Sequence, residues 1–325
     1  MPNTFIQDIR DKAAKRFLKV AFPDAEDVRT LKAALILRDK RIAEPWLVGS
    51  PTAIGKIAQD NGLSIAGVTV VDPQTDAAKS SLVALLFEKR KAKGWTIEQS
   101  AEAAKSPLYY AGLLLATGKV GAVVGGNISS TGDVIRAAIH TVGTAPGIST
   151  VSSYFIMVFP ERLLCYADCA VVPNPTDAQL ADIAITSAKN FQAVTGEEPR
   201  VAMLSFSTKG SAVHADVDKV VAATKIAKEK APHLLLDGEM QADAALIASV
   251  GERKCKGSPV AGKANVLIFP DLDAGNIGYK LTERLAGAEA VGPIVQGLNQ
   301  PFCDLSRGCS PDDMVNVAAI CSLMA

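Results

Sequence analysis

Val120-Gly-Ala-Val-Val-Gly-Gly-Asn-Ile-Ser-Ser-Thr-Gly132 joins a short apolar run to glycines, hydroxyl side chains and the start of an amphipathic segment. A β-branched apolar run of this length is typical of a strand buried on both faces of a parallel sheet. Glycines followed by serines and threonine are typical of a turn into a helix N-terminus. The stretch therefore predicts a strand, loop and helix whose hydroxyls and backbone N–H groups can bind a polar ligand at the carboxyl end of the sheet.

The same alternation of short apolar runs and longer amphipathic segments continues along the chain, which predicts βαβ units and an α/β fold with mainly parallel sheets. The predicted strands cover 20–23, 46–49, 68–71, 120–124, 151–159, 200–205, 234–236 and 265–269. The predicted helices cover 24–38, 98–117 with a break at Ser106-Pro107, 177–195, 216–231 and 273–285. A chain of 325 residues exceeds the usual size of one core, so we expect two domains, with a linker within 141–150.

Composition excludes several classes of protein. Lys+Arg and Asp+Glu both number 34, so no net basic field would attract nucleic acid or an anionic membrane. Aromatic residues make up 5% of the chain, which disfavours a base-stacking platform. The N-terminal segment lacks the apolar run of a signal peptide, and we expect a cytoplasmic protein with reduced cysteines. The three histidines are far apart in sequence, so no structural metal is expected.

A second informative stretch is Asp304-Leu-Ser-Arg-Gly-Cys-Ser-Pro-Asp-Asp313, which precedes an apolar helix over 314–324. Ser310 is a good N-cap, Pro311 suits the first helical position, and Asp313 completes a Ser-x-x-Asp capping box. Capping explains neither Ser306 nor Arg307, a hydroxyl beside a permanent cation at an anion-attracting helix start. The stretch therefore predicts a capped terminal helix and, next to it, a candidate functional site.

Three long motifs carry a resemblance to a known family: 304–310, Gly257-Ser-Pro-Val-Ala-Gly-Lys-Ala-Asn265 and Phe269-Pro-Asp-Leu-Asp-Ala-Gly-Asn276. With them the chain resembles the phosphate acetyltransferases (phosphotransacetylases) nearly end to end. The resemblance implies two α/β domains that flank a cleft, in an isocitrate/isopropylmalate dehydrogenase-like architecture. Domain I would cover 1–145 and 303–325, with the C-terminal helix returning to it, and domain II would cover 146–302. We also expect a homodimer.

The resemblance further implies acetyl transfer between coenzyme A and inorganic phosphate through a ternary complex, with acetyl phosphate as the other substrate and no cofactor or metal. Ser306 corresponds to the active-site serine, Arg307 to an arginine near coenzyme A and phosphate, and Asp313 to the proposed base. The substrate contacts expected beside them come from Asn127, Ser129, Ser130, Thr131, Lys263 and Asn276.

Two further arginines, Arg136 and Arg90, can each be interpreted in two ways. From the residues alone, Arg136 is a helical surface charge and Arg90, in Glu88-Lys-Arg-Lys-Ala-Lys-Gly94, is a cation near a helix C-terminus. The resemblance implies instead that Arg136 lines the active site and that Arg90 faces phosphate or coenzyme A. Both are therefore predicted as catalytic residues.

Other functions remain open at this stage. A phosphate propionyl- or butyryltransferase differs only in the acyl pocket, and a noncatalytic acetyl-CoA sensor would keep the fold. A metal- and NAD-dependent dehydrogenase would share the architecture, and its cation would need the dispersed carboxylates Glu239, Asp243, Asp271 and Asp273. Those acidic residues also suit helix caps, and no nicotinamide-binding motif accompanies them.

Overall fold

The computed structural model describes residues 4–325, an α/β chain that divides into two compact units. The first unit runs to Ala145 and takes in Leu298–Ala325, and the second is Pro146–Gly297. Each unit contains one sheet. Within residues 4–325, no helix is long and apolar enough to cross a membrane.

Eleven strands are described. They are β1 (Lys19–Phe22), β2 (Glu44–Val48), β3 (Thr69–Val71), β4 (Ala122–Gly125), β5 (Ser152–Val158), β6 (Leu163–Ala167), β7 (Arg200–Leu204), β8 (Leu235–Met240), β9 (Val266–Ile268), β10 (Glu289–Gln296) and β11 (Phe302–Asp304). In the first unit they form a five-stranded sheet of order β11-β4-β1-β2-β3, in which every pairing is parallel. The six-stranded sheet of the second unit has the order β10-β5-β6-β9-β7-β8.

The described helices alternate with these strands. They are α1 (Thr4–Arg16), α2 (Val28–Asp39), α3 (Pro51–Asp60), α4 (Lys79–Arg90), α5 (Ile97–Ala103), α6 (Pro107–Ala116), α7 (Thr131–Thr141), α8 (Asp177–Thr195), α9 (Ala215–Lys230), α10 (Ala242–Leu246), α11 (Ala248–Lys254), α12 (Leu272–Ala286) and α13 (Pro311–Met324). A short 3-10 turn, Lys91–Lys93, follows α4 and ends at Gly94, whose φ is +82°. The prediction of an α/β fold with mainly parallel sheets is confirmed.

The last helix, α13, is apolar on nearly all sides. Its residues 314, 315 and 317–322 are buried, because the helix packs against α1, α2 and β4 of the first unit. A helix without a polar face is stable only when it is enclosed in this way. The helix also contacts β11, the neighbour of β4 in the sheet.

Several features of the fold differ from the sequence-based expectations, and strands β10 and β11 and helices α1, α3, α10 and α11 were not predicted. The second sheet has an antiparallel part, because β10 and β6 both pair antiparallel with β5. Periodicity does not distinguish strand direction, so the apolar run alone could not predict it. In addition, α2 begins at Val28 and not at Asp24: Asp27 caps the helix, and Asp24 contacts another loop.

Candidate active site

The loop between β4 and α7 takes its shape from one buried carboxylate, Asp24. Its Oδ2 accepts hydrogen bonds from the N–H groups of Gly126 at 2.7 Å, Ile128 at 3.1 Å and Ser129 at 3.2 Å, and its Oδ1 accepts from Ser129 Oγ at 2.6 Å. Asp24 lies just after β1, the neighbour of β4, so both segments leave the same edge of the sheet. This role was not predicted, since Asp24 was expected at the start of a helix, whereas α2 begins at Val28. The signal available was a carboxylate directly after a buried strand.

Asn127, a predicted substrate contact, points inward. It is 4% exposed, and its Nδ2 donates to Asp27 Oδ2 and to Thr30 Oγ1, both at 3.1 Å. The amide therefore fixes the loop against the first turn of α2. The residues that follow it are more accessible: Ile128 is exposed, and Ser129 and Ser130 are half-buried.

Arg29 joins the two loops that the sequence singled out. Its Nη1 donates to the backbone oxygens of Arg307 at 2.7 Å and Cys309 at 3.0 Å, and its Nη2 donates to the oxygen of Asn127 at 3.1 Å. Asp27 accepts from the same guanidinium at 2.6 Å. Hydrogen bonds to Arg29 lower the pKa of Asp27, against the effect of burial. One side chain thus brings the loop over 126–130 next to the loop over 305–310.

The N-terminus of α7 presents the predicted hydroxyls. Ser130 is the N-cap: its Oγ accepts from the N–H of Asp133 at 3.2 Å and donates to Asp133 Oδ2 at 2.7 Å. Thr131 Oγ1 donates to Asp304 Oδ2 at 2.7 Å. Ser129 and Ser130 are half-buried and Thr131 is exposed. A helix start of this kind, with hydroxyls on one side, is a suitable place for an anionic group.

Asp304 is the last residue of β11 and is 6% exposed. Burial, together with the charge of Asp24, raises the pKa of Asp304 to about 6. Its Oδ1 is buried and has no hydrogen-bond partner within residues 4–325. Asp304 belongs to the terminal motif, but no role was predicted for it.

The terminal loop is exposed at the two residues that were predicted to be catalytic. Ser306 and Arg307 are both exposed, and Ser306 Oγ accepts from the N–H of Gly308 at 3.2 Å. The predicted capping box is confirmed: Asp313 Oδ2 accepts from Ser310 N at 2.8 Å and from Ser310 Oγ at 2.9 Å, and the Asp313 N–H donates to Ser310 Oγ at 3.2 Å. Asp313 therefore has a structural task beside the base role that the resemblance implies.

Arg136 and Arg90 share a neighbourhood built from three aromatic rings. Arg136 is exposed and pairs with Asp133 at 2.8 Å, and the Arg90 guanidinium lies 5.5 Å from the centre of the Trp95 ring. Tyr109 Oη and His140 Nδ1 are 2.8 Å apart. Burial lowers the pKa of His140, and the charges of Arg90 and Arg136 lower it further. Arg90 and Arg136 thus both lie near the His140 imidazole.

The two remaining predicted contacts belong to the second unit. Lys263 is exposed and lies in the loop that precedes β9. Asn276, on α12, donates from Nδ2 to the backbone oxygen of Cys169 at 2.9 Å and accepts at Oδ1 from Lys280 Nζ at 2.8 Å. Both groups of Asn276 therefore have protein partners.

Carboxylates of the second unit have local partners as well. Glu239 Oε1 accepts from Ser207 Oγ at 3.0 Å and from the Gly210 N–H at 2.7 Å. Asp243 pairs with Lys254 at 3.1 Å, and Asp271 caps α12. Among the described residues, no three His, Cys, Asp or Glu side chains are grouped so that they could hold a metal ion.

Replacing Arg29 by methionine should lower the free energy of unfolding by about 2–4 kcal/mol, because hydrogen bonds from a charged donor contribute roughly 1.5–3 kcal/mol each and methionine makes none of them. Urea denaturation measures the loss. Lys32→Met, an exposed lysine on the same helix, is the control and should change stability by less than about 0.5 kcal/mol. Equal effects of the two substitutions would show that Arg29 does not hold the loops together.

Comparison with known proteins gives the family. Residues 4–322 match the family model described as Phosphate acetyl/butaryl transferase. A phosphate acetyltransferase of Acetivibrio thermocellus is 46% identical over 328 residues, which cover 99% of this chain and 98% of that protein. The solved structure of the EutD phosphotransacetylase from Staphylococcus aureus matches with a TM-score of 0.93 and 40% identity, over 99% of this chain and 98% of that one.

A more distant likeness concerns the fold alone. A 4-hydroxythreonine-4-phosphate dehydrogenase from Salmonella typhimurium matches with a TM-score of 0.58 at 13% identity, over 95% of this chain and 99% of that one. This agrees with the predicted dehydrogenase-like architecture. The match to the family model across nearly the whole chain, with a relative at 46% identity, is decisive: the chain belongs to the phosphate acetyl/butaryl transferase family.

Proposed function

We propose that this protein is a phosphate acetyltransferase, which reversibly converts acetyl-CoA and inorganic phosphate into acetyl phosphate and coenzyme A. The observation that carries the proposal is its kinship, at 46% identity over 99% of the chain, with an enzyme of that name. The site offers support of its own. Two loops that leave one sheet edge, one with hydroxyls at a helix start and one with Ser306 and Arg307, are held side by side by Arg29.

In this proposal, arginines do most of the chemistry. Arg90, Arg136 and Arg307 bind the phosphate dianion and stabilise the negative charge that develops on the carbonyl oxygen in the tetrahedral transition state. Ser306 donates a hydrogen bond to that oxygen or to the departing thiolate. Its hydroxyl accepts from the Gly308 N–H, which leaves its own proton available as a donor.

Asp313 acts mainly as a positioning group. A free thiol has a pKa near 8.5 and a carboxyl group near 4, so a mismatch of about 4.5 units, or about 6 kcal/mol, opposes full proton transfer. The Asp313 carboxylate is exposed, and its Oδ2 already accepts hydrogen bonds from the N–H and the hydroxyl of Ser310. We therefore propose that Asp313 fixes the terminal loop and orients coenzyme A, while the arginines lower the pKa of its thiol.

The predicted substrate-binding residues fall into two groups, those that contact the substrates directly and those that act indirectly. Ser129, Ser130 and Thr131 offer hydroxyls and N–H groups to phosphate or to coenzyme A, and Lys263 offers an exposed ammonium group. Asn127 and Asn276 act indirectly, because their amides are hydrogen-bonded within their own units. They would shape the surfaces that the substrates contact.

We also propose that the enzyme works in the cytoplasm as a homodimer, with no cofactor and no metal ion. Support for the dimer comes from α12, where Ile277, Leu281 and Leu285 are 56%, 53% and 81% exposed at helical spacing. An apolar stripe of this kind on a helix surface is typical of a protein interface. Light scattering of the purified protein tests it, and a monomer mass at micromolar concentration would contradict it.

The activity is tested by thioester formation from coenzyme A and acetyl, propionyl or butyryl phosphate, with and without EDTA. We expect metal-independent turnover that is at least roughly tenfold faster with acetyl than with butyryl phosphate, since one methylene in a pocket changes the transition-state energy by about 1–3 kcal/mol. Faster turnover of butyryl phosphate would reassign the acyl group. Absence of turnover with all three, together with tight acetyl-CoA binding, would indicate a sensor.

A further inference from the structure

Asp304 occupies the junction between the two loops of the candidate site. It is opposite Gly125 in the pairing of β11 with β4, and the next residue, Leu305, donates from its N–H to the Gly125 oxygen at 2.7 Å. Ser306 and Arg307 follow directly. The backbone of Asp304 therefore begins one loop, while its side chain reaches Thr131 at the end of the other.

The Asp304 side chain is tightly packed against the backbone of Gly126. A Cβ atom built on Gly126 would lie 2.1 Å from Asp304 Oδ1 and 2.6 Å from the Leu305 nitrogen. Only a glycine permits such close contact between the carboxylate and the backbone of the neighbouring loop. Any change in the size or hydrogen bonding of Asp304 is therefore passed to both loops.

Asp304 and Asp24 are two buried carboxylates with unequal partners. The two oxygens of Asp24 accept four hydrogen bonds from the loop over 126–129. By contrast, Asp304 accepts from Thr131 Oγ1 at Oδ2, and no partner is found for its Oδ1 within residues 4–325. Because a carboxylate with few donors is poorly stabilised when buried, the charged form of Asp304 is disfavoured.

The charged surroundings of Asp304 are simple. Asp24 faces it from the segment after β1. On the helices packed against β11, the ionisable side chains near the loops, namely Asp133, Arg136, Asp312 and Asp313, are exposed. Burial raises the pKa of Cys309 to about 11, so its thiol stays uncharged near neutrality. Of these groups, Asp24 is therefore the one that most directly opposes ionisation of Asp304.

We propose that Asp304 is a positioning residue for the acetyl transfer reaction: its ionised carboxylate holds Thr131, and with it the N-terminus of α7, in register with Ser306 and Arg307, and protonation loosens that hold. The inference rests on the proposed function. A hydrogen bond to a charged acceptor is about twice as strong as one to a neutral acceptor. The hydrogen bond between Thr131 and Asp304 is therefore weaker when Asp304 is protonated. Turnover should then fall as the pH drops below about 6, where Asp304 gains its proton.

Asp304→Asn tests the proposal, because the amide keeps the size and an acceptor for Thr131 but does not titrate. In the wild type we expect kcat at saturating substrate to drop roughly three- to tenfold between pH 7 and pH 5. In Asp304→Asn, whose amide is a neutral acceptor like the protonated acid, that drop should disappear, and kcat at pH 7 should already be roughly three- to tenfold below that of the wild type. Asp312→Asn, an exposed aspartate of the same terminal segment, should keep the wild-type profile. Titration of the substrates is common to all three proteins and cancels.

A second readout does not depend on catalysis. The folded pKa of Asp304 lies above that of an unfolded aspartate, so the protein gains stability from its protonation and loses it as the pH rises through about 6. The wild-type melting temperature should therefore fall relative to that of Asp304→Asn between pH 4.5 and about 7. If this shift is present but no acetyl transfer occurs, the proposed function fails and the ionisation of Asp304 stands.

Two outcomes would overturn the proposal. One is an Asp304→Asn variant that keeps the wild-type drop in kcat below pH 6, and the other is an Asp304→Asn variant with the wild-type kcat at pH 7, which would show that the reaction does not need the charge of Asp304. Should Asp304→Asn not fold, Thr131→Val replaces it. That variant removes the hydrogen bond and should be slow at all pH values with a flat profile across pH 6, whereas a preserved drop would refute the role.

Discussion

Replacing Arg307 by alanine should lower kcat by a few hundredfold and leave the fold intact. The side chain is exposed, and only its backbone oxygen takes part in the contact with Arg29, which alanine would preserve. Loss of one preorganised donor to a developing oxyanion costs about 3–4 kcal/mol in the transition state, which is a few hundredfold in rate. Arg136→Ala should behave in the same way, because Arg136 is exposed and pairs with the exposed Asp133 of its own helix, while the Ser130 cap of α7 remains.

Steady-state rates of thioester formation at saturating substrate measure both variants. The matched control is Arg38→Ala. Like Arg136, Arg38 pairs with an aspartate of its own helix, here Asp39 at 2.7 Å. It should retain the wild-type kcat even if its contacts with the oxygens of Ser64 and Ala66 cost some stability. Near-normal turnover of folded Arg307→Ala and Arg136→Ala would remove these residues from the mechanism, and would leave the charge stabilisation to other donors.

Gly126→Ala should be the most destabilising single substitution in the loop, with a loss of about 3–5 kcal/mol in the free energy of unfolding. The φ angle of Gly126 is +105°, a conformation that costs an L-residue about 1–3 kcal/mol. The new Cβ would also lie 2.1 Å from Asp304 Oδ1 and 2.6 Å from the Leu305 nitrogen, and overpacking typically costs about 1–3 kcal/mol more. Neither side can retreat, because Gly126 N–H is bonded to Asp24 and Leu305 N–H to the Gly125 oxygen.

Urea unfolding separates the two contributions when Gly118→Ala is measured in parallel. Gly118 also has a positive φ, +70°, but nothing lies within 4 Å of an added Cβ. Gly118→Ala should therefore show only the conformational cost, about 1 kcal/mol. An equal loss in both variants would mean that the two loops are not in such close contact. Residual folded Gly126→Ala should have strongly reduced kcat, since the added methyl group separates the loops of the candidate site.

The sequence by itself determined the features whose causes are local. Alternation of apolar runs and amphipathic segments predicted the α/β class. The helix over 177–195 was predicted with the bounds that the structure shows, where Thr176 caps its start and Gly196, with a φ of +82°, ends it. Ser310 and Asp313 predicted their capping box, and Ser106-Pro107 predicted the break between α5 and α6. All of these depend on side chains within a few residues of the backbone groups that they satisfy.

Only the tertiary structure decided how the site is held together. Asp24 and Gly126 are 102 residues apart, and Arg29 and Arg307 are 278 apart, so no local spacing reveals either contact. The same holds for Thr131 and Asp304, which are 173 residues apart. The antiparallel pairing of β5 with β6 and β10 could not be predicted either. A buried strand has the same apolar composition whether its neighbours are parallel or antiparallel. Local sequence specifies which hydroxyls, cations and carboxylates are available, whereas the close approach of parallel strand ends determines which of them meet.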